Sequence, residues 1–112
     1  MAQELARKRK RVSEVILIWP STDLPYYIRD MLMRLKDTYG ARVVAVKVRP
    51  SDVDRLMGYL DAPEEEVPEV HRSFVRLLQR FDIRDLPALV VDGRLAAQGS
   101  ESEVLRALQL LL

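Results

Sequence analysis

The sequence predicts an α/β domain of three layers, in the order β-α-β-(α)-α-β-β-α, with a four-stranded mixed sheet and a basic N-terminal arm. Three observations predict it. Continuous apolar runs of strand length, at residues 15–19, 43–46 and 88–91, are each bounded by Pro, Gly or polar residues. Between them lie longer segments whose apolar residues recur at helical spacing. An Asp-Gly pair after the third run marks a reversal into a fourth strand.

Residues 1–11 show no apolar stripe and read as a separate charged arm, with the domain at 12–112. Five cations in a row, Arg7, Lys8, Arg9, Lys10 and Arg11, fall in the arm. Residues 12–112 then keep 13 Lys/Arg against 16 Asp/Glu, so the net charge of +1 divides into a basic arm and a mildly acidic body. Such an arm suits phosphate contact with nucleic acid, but the acidic body offers no basic stripe to extend it. With 48% hydrophobic residues the chain is expected to fold, and 112 residues are enough for one modest core. No apolar run is long enough to span a membrane, and no leader pattern follows the arm, so the expected location is the cytoplasm. Arg outnumbers Lys 14 to 4 and asparagine is absent, a balance that fits a heat-adapted or GC-rich source.

Residues 12–19 form the first predicted strand, buried on both faces because Val15-Ile16-Leu17-Ile18-Trp19 is unbroken. Pro20 stops it. Ser21, Thr22 and Asp23 offer caps for a helix carrying Leu24, Ile28, Met31, Leu32 and Leu35 on one face. Pro25 suits its first turn and Gly40 its end. Residues 42–48 read as a second buried strand, which makes a parallel βαβ unit. Ser51 with Asp54 resembles a capping box for a short helix through Val53, Leu56, Met57 and Leu60. Residues 61–68 are acidic, read as a solvated loop or helix start. A second long helix presents Val70, Phe74, Leu77, Leu78 and Phe81, with Arg72, Arg76 and Arg80 toward its C-terminal end. The strand at 88–91 and the return strand at 94–98 follow, the latter read as a sheet edge. Ser100 with Glu103 caps a last helix through Val104, Leu105 and Leu108.

The absence of cysteine removes disulfides, thiol catalysis and thiolate metal sites together. His71 is the single histidine, so a metal centre lacks ligands and a general base lacks a partner. No metal or cofactor is expected, and no acid–base constellation points to an enzyme.

From Phe81 to Gly93 the chain resembles the thioredoxin superfamily, in which an Ile-Arg-x-x-Pro segment leads into the third strand. Here that segment is Ile83-Arg84-Asp85-Leu86-Pro87. The loop Leu24-Pro25-Tyr26-Tyr27 is similar to the Cys-Pro-Tyr-Cys loop of glutaredoxins, with Leu24 and Tyr27 at the two cysteine positions. The resemblance implies a thioredoxin-like fold with a cis proline at Pro87. It also implies a groove walled by Thr22, Asp23, Tyr26 and Tyr27 on one side and by Leu86 and Pro87 on the other, with Gly99 and Ser100 at its rim. Thiol–disulfide exchange needs a thiolate, which neither Leu24 nor Tyr27 supplies. Ser21 replaces the lysine that helps glutaredoxins bind glutathione. The reading that remains is a redox-inactive domain that binds a protein or peptide partner, a second copy of the chain included, by strand-like pairing at Leu86. The alternative is a nucleic-acid-associated protein acting through residues 7–11.

Overall fold

A computed structural model of the chain describes residues 11–112. Its elements run β1 (Glu14–Trp19), α1 (Tyr26–Tyr39), β2 (Arg42–Lys47), α2 (Pro50–Gly58), a 3₁₀ turn (Glu64–Glu66), α3 (Glu69–Arg80), β3 (Ala88–Val91), β4 (Arg94–Gln98) and α4 (Glu101–Leu111). The four strands form one mixed sheet in the order β2-β1-β3-β4. β1 pairs with β2 in parallel, and β3 is antiparallel to both β1 and β4.

Alternation along β1 builds two cores from one continuous apolar run. Val15, Leu17 and Trp19 face α1 and α4, where they meet Ile28, Leu35, Val104 and Leu108. Ile18 faces the other way, with Ala88, Val90, Leu56, Leu78 and Ile83 under α2 and α3. Leu17, Ile18 and Leu89 are fully buried, and each such side chain contributes about 1.5–3 kcal/mol by leaving water.

The turn between β3 and β4 follows from its two residues. Asp92 and Gly93 both take positive φ, at 49° and 80°. This is the two-residue reversal whose twist matches paired strands. The Asp92 carboxylate also accepts the Ser13 and Glu14 N–H groups, both at 2.8 Å, and so ties the hairpin to the start of β1.

The second strand is not buried in the way its composition suggests. It lies at the sheet edge, with Arg42, Ala45 and Lys47 exposed. A run of valines meets the needs of an edge strand between two helical layers as well as those of a central strand. The caps also differ. Pro25 is the N-cap of α1, and Ser21 Oγ instead accepts the Asp23 N–H at 3.3 Å within the loop. Arg49 precedes α2 with Pro50 as its first residue, so Ser51 lies inside the helix and caps nothing. Proline at the first position leaves one fewer N–H to satisfy. On α3, Val70 is 81% exposed, and the buried positions are Val75 and Leu78. The start of α3 at Glu69 leaves Val70 in the first turn, outside the face that meets the sheet. The cap at Ser100 is as expected, its Oγ accepting the Glu103 N–H at 3.3 Å.

Candidate functional site

The ends of four elements meet beside the loop before β3. Ile83 is buried under α2 and α3 and anchors that loop to their core. The Leu86–Pro87 peptide is cis. Gln98, at the end of β4, turns its side chain back on the loop. Its Oε1 accepts the N–H of Arg84 at 2.8 Å and of Asp85 at 3.2 Å. Gly99 then donates its N–H to the Pro87 carbonyl at 2.8 Å. Gly99 has φ +85°, and a Cβ added there would stand 2.9 Å from Asp85 Oδ2. The missing side chain therefore seats the Asp85 carboxylate, whose Oδ1 accepts the Leu86 N–H at 2.9 Å.

Beyond Gly99 the chain enters α4, and α4 joins this loop to α1. Tyr27 donates its hydroxyl proton to Glu101 Oε1 at 2.7 Å, 74 residues along the chain. That bond, then some desolvation, then the Glu101 charge push the Tyr27 phenol above its ordinary value. Tyr26 stands edge-on to Tyr27, ring centres 5.6 Å apart, and is 76% exposed. From these two rings a shallow groove of about 490 Å³ runs between α1 and α4, lined also by Met31, Arg34, Leu105 and Gln109.

Of the residues expected at the groove, Tyr26 and Tyr27 thus stand beside the start of α4, and Pro87 is bonded to Gly99, next to Ser100. Leu86 and Pro87 are buried, and Leu86 packs its side chain into the core under α2 and α3. What Leu86 presents is backbone, and its N–H is already held by Asp85. Thr22 and Asp23 are exposed in the preceding loop and make no hydrogen bond to the other groove residues among the described residues. Of the basic run, Arg11 is exposed. Arg7, Lys8, Arg9 and Lys10 lie outside the described residues.

Asp85, Gln98 and Glu101 were not legible as site residues. Their roles come from contacts across the fold, and no local motif announces them. The groove between α1 and α4 had a weak signal in the spacing of Tyr27, Met31 and Arg34 on one helix face. His71 lies on α3, half-buried and stacked on Tyr59 at 6.2 Å. Among the described residues, no group of His, Cys, Asp and Glu is placed to hold a metal ion. None of their helices is long and apolar enough to cross a membrane. No family model, curated protein or solved structure matches the chain.

Proposed function

We propose that the chain is a redox-inactive, thioredoxin-like domain of the cytoplasm that binds a protein or peptide partner where α1 and α4 begin. The strand order β2-β1-β3-β4, the helix layers and the placement of Leu86-Pro87 ahead of β3 support the fold assignment. Exposure of the Tyr26 and Tyr27 rings carries the binding assignment. A tyrosine 76% exposed at the head of a groove is costly surface to leave in water, and aromatic residues of this kind anchor protein interfaces. Binding there uses the rings and the groove floor first. Strand-like pairing at Leu86 requires the Asp85 carboxylate to move off the Leu86 N–H. With no cysteine in the chain, the domain catalyses no thiol–disulfide exchange.

The test is partner capture with the full chain, its Tyr26→Ala variant and a form lacking residues 1–11. The expected outcome is a partner retained without the arm and released about tenfold or more by Tyr26→Ala. Binding that disappears with the arm and falls steeply with salt would favour the nucleic-acid reading instead. Measurable insulin reduction by the purified chain would overturn the redox-inactive assignment.

A further inference from the structure

We infer that the exposed edge of β2 pairs with β2 of a second copy of this chain, antiparallel about a two-fold axis at Ala45, to make one eight-stranded sheet. The direction of each backbone group on β2 is given by its two ends. The Arg42 N–H bonds the Ser13 carbonyl at 2.9 Å, and the Val48 N–H bonds the Trp19 carbonyl at 2.8 Å. The register with β1 is unbroken between them, Glu14 with Arg42 through Trp19 with Lys47. Alternate residues of a parallel ladder turn the same way, so Arg42, Val44, Val46 and Val48 address β1. Val43, Ala45 and Lys47 then direct their N–H and C=O groups outward. No strand lies beyond β2 among the described residues.

The two edges of the sheet differ in how they are protected. The β3–β4 pairing shifts register at Leu89/Val90, an irregularity of the kind that discourages further pairing. β2 has no such break and no proline within Arg42–Lys47. Its protection is a cation at each end, Arg42 and Lys47, and Ala45 is the centre of its three outward-facing residues. With Ala45 opposite Ala45 of the second copy, Val43 faces Lys47, Val44 faces Val46 and Arg42 faces Val48. No cation directly opposes a cation. All three outward-facing residues become hydrogen-bonded pairs, each exchanging two bonds, roughly six in all. The half-buried Val44 and Val46 of both copies then lie side by side on one face, the β-branched cross-strand contact that stabilises sheets. Exposed Ala45 at the axis adds no bulk between the copies. Such a self-complementary edge is what a two-fold interface requires.

Sedimentation equilibrium of the full chain up to about 1 mM tests this. The expected mass is twice the 12.9 kDa of one chain. Ala45→Pro removes an outward N–H, which an edge strand tolerates. It should return the mass to one chain with circular dichroism and melting little changed. Ala45→Lys and Ala45→Glu each set like charges opposite one another at the axis and should each be monomeric. Mixed in equal amounts, they should recover the dimer. A wild-type chain that stays monomeric throughout overturns the interface. So does a dimer that survives both Ala45→Pro and Ala45→Lys, including one that dissociates on Tyr26→Ala and so joins through the groove.

Discussion

The two sides of the candidate site are built on opposite terms. On the side of β3 and β4, Leu86 and Pro87 are buried. Gln98, Gly99 and Asp85 hold the backbone through bonds at Arg84, Asp85, Leu86 and Pro87. On the side of α1, Tyr26 and Tyr27 stand in water, and one phenol–carboxylate bond ties them to α4. The first side spends its polar groups internally and sets a position. The second keeps its apolar surface available. A site that binds needs both, because a rigid frame reduces the ordering cost of association while exposed rings supply the area. Substitutions on the first side should therefore show in stability, and substitutions on the second in binding.

The largest expected effect is at Gly99. Gly99→Ala forces an alanine into φ +85° and drives Asp85 off the Leu86 N–H. The left-handed backbone costs about 1–2 kcal/mol and the lost hydrogen bond about 1 more, so the denaturation midpoint should show a loss of about 2–3 kcal/mol. The two parts separate in an Asp85→Ala background. There the carboxylate is already gone, and Gly99→Ala should cost only the backbone part. An unchanged penalty would mean that Gly99 does not act by seating Asp85.

Gln98→Ala comes next. It withdraws one oxygen from two N–H groups and should cost about 1–2 kcal/mol. Because the loss is local, amide exchange at Arg84 and Asp85 should quicken by about tenfold, while the amides of β1 stay protected. Tyr26→Ala is the counterpart on the open side. Stability should move by less than about 0.5 kcal/mol, since a ring 76% exposed supports little of the core, while partner affinity falls.

The same division explains what the amino-acid order revealed. Strand β3 and its Asp92-Gly93 turn were legible because turn chemistry is local and an Asp-Gly pair takes left-handed angles readily. The amphipathic face of α1 was legible because its burial, Ile28, Met31, Leu32 and Leu35, repeats at the helical period. The edge position of β2 was not, since its valines suit an edge strand between two helical layers as well as a central one. The exposure of Val70 was not legible either. Periodicity names a face but not the residue at which the helix reaches the sheet. Gln98 and Glu101 act across the fold, and that information exists only once the strands have paired.

The smallest effect, and the one that probes how the open side is attached, is the pH response of Tyr27. Its phenol is raised above the ordinary 10.0, mainly by the bond it donates to Glu101. A group whose folded value lies above its unfolded one stabilises the fold fully below the unfolded value and loses that contribution as pH rises through the folded value. The bridge should therefore be intact at neutral pH and fail only above pH 10. Tyr27→Phe removes the donor and leaves the ring. Its melting temperature should lie slightly below wild type at pH 7, with the gap closing as pH climbs past 10, because wild type loses there what the variant never had. Salt should barely alter the gap at pH 7, since the donor is neutral. No gap at pH 7 would show that Tyr27 is held by its ring packing on Tyr26 and not by its bond to Glu101.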